Sequence, residues 1–412
     1  MPLRPHRRFV ARVRAAVGSD APALRQSFVA TLISSGGDLL AGLTLASITH
    51  TLEILPGLLV LVPAAIGMRG NVFGALGSRL GTTIHTGEFS LTRRRDTVVG
   101  QNVLASVVLT LSISLALAVL AKGMTSLFGI NSISIADFVV ISIVGGILSS
   151  IVVLVLTIVV AALAVRRDFD LDNVAGPLVT AAGDMVTLPA LFLATLIVHH
   201  DGVTAVVATL ATVLAIASLV AAWRARLPVM RRILRESLPI LIVAGTIDLL
   251  AGQILESRLD DMFSRYEALL VLVPPFLEDT GALGAILSAR TATKLHLGII
   301  EPMARPQRAA RDDFAIIGLL AVPVFTLVAI SADIASVITD KTSPGVLPMV
   351  GVALVGGLIA TTAAIFIGYY ASVATYRLGL DPDNYGVPLI TSSMDLVGVI
   401  ALILGALAMR VI

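Results

Sequence analysis

Cysteine is absent from all 412 residues, which excludes disulfide staples, thiolate metal sites and cysteine nucleophiles. Any metal handled by this chain is therefore expected to be a hard, oxygen-ligated ion rather than a soft one such as Cu⁺. Charge is scarce as well. Only 14% of the residues are Asp, Glu, Lys or Arg, against about 25% in an ordinary soluble domain. Apolar residues make up 57% of the chain and the mean hydropathy is +0.96. Runs able to cross about 30 Å of hydrocarbon recur from one end to the other. No stretch of soluble-domain length is left between them. Neither GxxxxGKS/T nor GxSxG nor HExxH occurs, so an ATP-driven pump and the common hydrolase chemistries are not expected. An all-α, polytopic membrane protein is expected, with the lipid bilayer as its first partner. It is expected to be no enzyme and to have neither an organic cofactor nor a nucleic-acid partner.

What the sequence does have is a repeat. LLVLVP occurs at residues 58–63 and again at 269–274, a shift of 211. The same shift carries Gly70 to Gly281, Arg79 to Arg290, His85 to His296, Pro177 to Pro388, Thr180 to Thr391 and Asp184 to Asp395. DLLAG recurs at Asp38 and Asp248, displaced by 210. Apolar runs match by chance, but polar residues and prolines at one offset over a half-chain do not. Each copy parses into five spans, about 28–48, 56–82, 99–121, 135–164 and 176–198 in the first. In the second they are about 238–256, 267–290, 313–332, 346–375 and 387–409. Residues 203–223 form one more apolar run without a counterpart, for about eleven spans in total.

The unmatched run fixes orientation. A five-span unit ends on the side opposite its start, so direct fusion would invert the second copy. One added span makes the copies parallel, related by a pseudo-twofold axis along the membrane normal. Basic segments then gather on one side: the tail of residues 1–26, Arg93 to Arg95, Arg166-Arg167, Arg224 to Arg235 and Arg305 to Arg311. The other side receives His199-His200-Asp201, Asp260-Asp261, Asp333 and Asp340. By the positive-inside rule the N-terminus is cytoplasmic and the C-terminus outside, in a plasma-membrane protein. Residues 27–200 form the first unit, 201–236 the linking helix and a basic loop, and 237–412 the second unit.

Carboxylates at membrane depth are costly and mark functional candidates. Asp184 in LVTAAGDMVTLPA and Asp395 in LITSSMDLVGVI each follow a threonine by four residues, Thr180 and Thr391, which puts hydroxyl and carboxylate on one helical face. Two such carboxylates near one axis would repel, and one would tend to hold a proton, unless a cation sat between them; an arginine partner, or burial as a protonated acid for packing, is the competing reading. Carboxylate, hydroxyl and carbonyl oxygens suit Mg²⁺, which keeps several of its waters; Mn²⁺, Co²⁺ and Zn²⁺ accept the same ligands. Asp38 and Asp248 form a second pair, for which a helix–helix hydrogen bond and an ion role are both open. In the second span, Gly67, Gly70, Gly74 and Gly77 fall on one face suited to close packing, and Asn71 adds an amide. The second copy has Glu278 where the first has Gly67, with Asp279 beside it. Glu278 is expected to project across the axis into the space left by Gly67. The competing reading has Glu278 or Asp279 ion-paired to Arg69. Asp172-Asn173 and Asp383-Asn384 read as helix N-caps, and His85 and His296 as interfacial residues.

These segments resemble the membrane domain of the MgtE magnesium transporter family, in particular its two-repeat branch that includes the eukaryotic solute-carrier magnesium transporters. The resemblance is carried by LVPAAIGMRGNVFGALGSRL, LVPPFLEDTGALGAILSAR, LDNVAGPLVTAAGDMVTL and LDPDNYGVPLITSSMDLVGV. It implies Mg²⁺ as the transported ion, a pathway between the second and fifth spans of two five-helix units, and an ion site at Asp184 and Asp395 with the Asn71 region as neighbouring lining. Bacterial members carry cytoplasmic regulatory domains that have no counterpart here. They are homodimers of single units, so the fused chain is expected to work as a monomer, with a homodimer also open. A proton-coupled carrier of another solute and a membrane scaffold are the competing functions. The scaffold has no use for duplicated buried carboxylates.

Overall fold

A computed structural model describes residues 28–411 except 30, 91–93, 168–170, 199–200 and 380–385. Every long segment is helical, and no strand occurs among the described residues. The first unit holds α1 (31–47), a short α2 (Thr49–Ile54), α3 (Leu58–His85), α4 (Val98–Leu127), α5 (Ile135–Arg167) and α6 (Leu171–Val198). The linking helix is α7 (Asp201–Arg224). The second unit holds α8 (Pro228–Glu256), a π turn at Leu259–Phe263, α9 (Glu267–His296), α10 (Arg308–Ile338), α11 (Val346–Leu378) and α12 (Val387–Ala408). Ten of the described helices are long and apolar enough to cross a bilayer; α1 stands where the first of the eleven spans is expected.

Local chemistry sets several boundaries. Thr97 caps α4 by accepting from the Gly100 N–H at 3.1 Å. Ser134 and Asp137 form a reciprocal capping box at α5, with bonds of 2.9 and 3.2 Å that satisfy otherwise orphaned donors. Three expectations are corrected. The basic segment 224–235 is not all loop, because α8 begins at Pro228, a residue suited to a first helical turn. Asp333 is not in a loop either; it is buried in the last turns of α10, where the Ser343 hydroxyl donates to it. Asp172 and Asn173 fall in the first turn of α6 instead of preceding it. Asp383-Asn384, His199-His200 and the tail 1–26 lie outside the described residues.

α3 and α9 form the centre. α3 packs on α4, α5 and α6, and α9 packs on α10, α11 and α12, so each unit wraps its own second span. The first helix of each unit does something different. α8 lies on α3 and α4 of the other unit as well as on α12 of its own. Its Gly252 passes so close to α3 that an added Cβ would stand 2.2 Å from the Val60 carbonyl oxygen. The twin contact has Gly42 of α1 against the Val271 carbonyl, at 2.1 Å. The two units therefore interlock through their first helices. α7 packs on α4 and α5 with most of its surface facing outward.

The units also brace α9 and α3 differently. Asp313, buried on α10, receives Arg290 at 2.8 Å and Lys294 at 2.6 Å. At the matching place in the first unit, the Arg79 Nε donates to the amide oxygen of Asn102 at 2.8 Å, and Thr83 takes the position of Lys294. Asp313→Asn is therefore expected to remove the negative charge that Arg290 and Lys294 share and to destabilise the protein by roughly 2–4 kcal/mol, less than a fully buried pair because both cations keep some exposure. A thermal unfolding series in detergent checks this; an unchanged midpoint would show that the brace carries no net stability.

Candidate functional site

A cavity of about 500 Å³ lies where α3, α6, α9 and α12 meet, the second and fifth spans of both units. Its walls change along the axis. At one end Val62, Pro63, Val273 and Pro274 are buried and apolar. At the other end Ser78, Thr82 and Val387 are exposed, so the cavity opens towards the His85 ends of α3 and α9. Between these ends stand Asn71, Thr180, Asp184, Glu278, Thr391 and Asp395. Gly67, Gly70 and Gly74 line it too, and no atom of another helix would meet a Cβ on Gly74. That face, expected to serve close helix packing, instead gives the cavity its width.

Each aspartate at the wall has a second one behind it. Asp184 (2% exposed) and Asp38 of α1 (0% exposed) lie within hydrogen-bonding reach of each other. Asp395 and Asp248 of α8 form the equivalent pair. Carboxylates only accept hydrogen bonds, so two charged ones in contact repel. Both Asp38 oxygens, Asp184 Oδ2 and Asp248 Oδ1 have no donor. Such a pair calls for a shared proton or a cation between its oxygens. Among the described residues no three Asp, Glu or His side chains converge as a compact metal centre; the acids stand as two pairs.

The pairs have unequal surroundings. A Cβ on Gly67 would lie 2.9 Å from Asp248 Oδ2 and 3.6 Å from Asp395 Oδ2, so the second pair occupies the room left by the missing side chain. Glu278 holds the equivalent position in the second unit, lines the cavity, and is close enough for its charge to bear on Asp184 and Asp38 and also on Asp395. Asp279 points elsewhere: it is fully buried, does not line the cavity, and accepts from the Ser35 hydroxyl of α1 at 2.8 Å. Neither acid pairs with Arg69, whose Nε donates to Ser149 on α5 at 2.9 Å. The Thr391 hydroxyl donates to its own helix, at Val387 and Pro388. The methyls of Thr180 and Thr391 approach Gly70 and Gly281. Of the nine candidates, Asp184, Asp395, Glu278, Asn71, Thr180 and Thr391 meet at the cavity; Asp38 and Asp248 stand behind it, and Asp279 is off it. Arg79 also lines the cavity, and sequence reasoning attached no role to it beyond its place in the repeat. Its signal was available in the repeat, which sets Asn102 against Asp313.

A family model described as MgtE, divalent cation transporter, matches residues 62–194 and 273–405, together more than half of the chain. Solute carrier family 41 member 3 of Rattus norvegicus is 26% identical over 399 residues, covering 90% of this chain and 84% of that protein. Solute carrier family 41 member 2 of Gallus gallus is 24% identical over 409 residues, covering 92% and 69%. The Homo sapiens member 2 is 24% identical over 404 residues, covering 90% and 68%. No solved structure matches the chain.

Proposed function

The chain belongs to the MgtE family of divalent cation transporters, and on that premise we propose that it carries Mg²⁺ through the cavity between its repeats, with Asp184 and Asp395 facing the ion. The observation that carries this reading is the wall of the cavity. Equivalent helices of both units contribute equivalent carboxylates to it, each backed by a second carboxylate within hydrogen-bonding reach. An octahedral Mg²⁺ that keeps six waters needs about 200 Å³, at about 30 Å³ per water. The cavity of about 500 Å³ holds that. Hydroxyl, amide and carboxylate oxygens can then receive the hydrated ion through its water shell. The solute-carrier names of the relatives agree with transport.

The open end faces the arginine-rich loops, which the positive-inside rule assigns to the cytoplasm of a plasma-membrane protein. Flux then requires the opposite end, closed by the twin LLVLVP segments, to open. Both half-sites come from one chain, so a monomer completes the pathway. Transport down the electrochemical gradient needs no enzymatic step and no organic cofactor.

Reconstitution into liposomes tests the reading. Mg²⁺ uptake is expected in vesicles containing the chain, faster with an inside-negative potential and absent from empty vesicles. Proton movement without divalent flux would overturn it in favour of a proton relay, and a silent, well-folded protein would favour a scaffold.

A further inference from the structure

We propose that Arg79 is a specificity-determining residue, a fixed positive charge at the open end of the cavity that weakens the hold on divalent cations and so keeps them exchangeable. The inference rests on the Mg²⁺ reading above. Its observations are separate ones, drawn from what differs between the two units.

Arg79 and Arg290 are the same residue of the repeat, yet their charges are handled differently. Arg290 shares the buried Asp313 with Lys294. Arg79 has the neutral Asn102 instead, bonded at 2.8 Å, and its buried Nη2 has no partner. The acid that acts on Arg79 is Glu236 of α8, and Glu236 is itself ion-paired to Arg232 at 2.9 Å. Of the two twins, Arg79 is the one that lines the cavity, together with Asp184, Glu278 and Asp395. The copy of the brace that faces the ion is thus the copy that lacks its carboxylate.

Coulomb's law turns this arrangement into a consequence. A unit charge near the site acts on a divalent ion with twice the energy it has for a monovalent one. Five carboxyl groups stand at the cavity wall or directly behind it: Asp38, Asp184, Asp248, Glu278 and Asp395. Left unopposed, such a field would hold a divalent cation too tightly for turnover. Conduction needs binding strong enough to admit the ion and weak enough to release it. Arg79 opposes the field at the end where ions exchange with water.

Two variants remove the charge by different routes. Arg79→Gln deletes it and keeps a hydrogen-bonding head for Asn102. Asn102→Asp leaves Arg79 in place and cancels it, copying the Asp313 arrangement. Mg²⁺ is titrated calorimetrically into the detergent-purified full chain at low salt. Both variants are expected to bind Mg²⁺ about three- to tenfold more tightly than the wild type. Most of that gain should vanish at about 0.5 M salt, where the Debye length falls below ~5 Å. Turnover at saturating Mg²⁺ should fall in both. Opposite shifts, or wild-type affinity in a folded Asn102→Asp protein, would overturn the proposal, because a merely structural role for Arg79 predicts no gain from an added carboxylate. If Arg79→Gln does not fold, Asn102→Asp alone decides. An absence of Mg²⁺ binding by the wild type would instead refute the Mg²⁺ reading itself.

Discussion

Replacing Asp184 with asparagine is expected to lower divalent cation flux by at least about tenfold, equivalent to losing ~1.4 kcal/mol or more of ion stabilisation. The substitution keeps the volume of the side chain and removes its charge. Asp184 is 2% exposed, lines the cavity, and has Oδ2 without a donor. A cation beside it gains a full charge in surroundings poor in water, where Coulomb interactions are worth several times their value in bulk solvent. The asparagine would also relieve the repulsion with Asp38, because an amide donates where a carboxylate cannot. Folding should therefore be unharmed or improved, while transport fails. That split, a thermal midpoint at or above the wild type with flux at least tenfold lower, is what liposome uptake and an unfolding series should show together. Equal losses of both would mean that Asp184 serves packing. Asp395→Asn should behave alike. Asp279→Asn provides a contrast, since its partner is Ser35 on α1 and it lies off the cavity; its flux should stay within about twofold of the wild type, while its stability falls by roughly 1 kcal/mol as a buried bond weakens.

The repeat made much of this legible in advance. A shift of 211 in polar residues and prolines located both units, and the spans it implied agree with the helices to within a few residues at most ends. Asp184 and Asp395 stood out because carboxylates are rare at that depth. Other features escaped because they depend on who packs against whom. Nothing in a helical pattern says that α8 leaves its own unit to lie on α3. The glycine face of α3 reads as a packing surface in one dimension; only the position of α9 and α12 shows that it borders open space. Asp333 reads as a loop acid just past the expected end of the third span, yet α10 runs on through it and the Ser343 hydroxyl donates to it there. Arg79 is a simpler case, for its informative partner sits 23 residues away and matters only when set against Asp313 in the other copy.

The second large effect is expected at a glycine. In DLLAG the aspartate and the glycine look like parts of one motif, but the fold gives them different jobs. Asp38 and Asp248 turn to the fifth span of their own unit, whereas Gly42 and Gly252 meet the second span of the other. A Cβ at Gly252 would stand 2.2 Å from the Val60 carbonyl oxygen and 2.7 Å from its carbon, both backbone atoms of the LLVLVP segment. Val60 lies in the first turn of α3 and is fully buried, and helix backbone packed in that way cannot swing aside as a side chain can, so α8 must move off α3 as a body. Helices in lipid hold together largely by close contact of small residues, without a hydrophobic force between them, and weak Cα–H···O bonds at such approaches are lost as well. Gly252→Ala is therefore expected to cost about 3 kcal/mol or more, and Gly252→Val to prevent assembly of the bundle. Gly42→Ala should match Gly252→Ala, because the Val271 carbonyl stands 2.1 Å away in the twin contact. Gly36→Ala on the same helix is the control. Nothing lies within 4 Å of its Cβ position, so alanine should be neutral or stabilise by up to about 1 kcal/mol through helix propensity. Detergent unfolding midpoints rank the four variants. If Gly252→Ala unfolds like Gly36→Ala, the first helices do not lock the units together, and the closed end of the cavity must be held by something else.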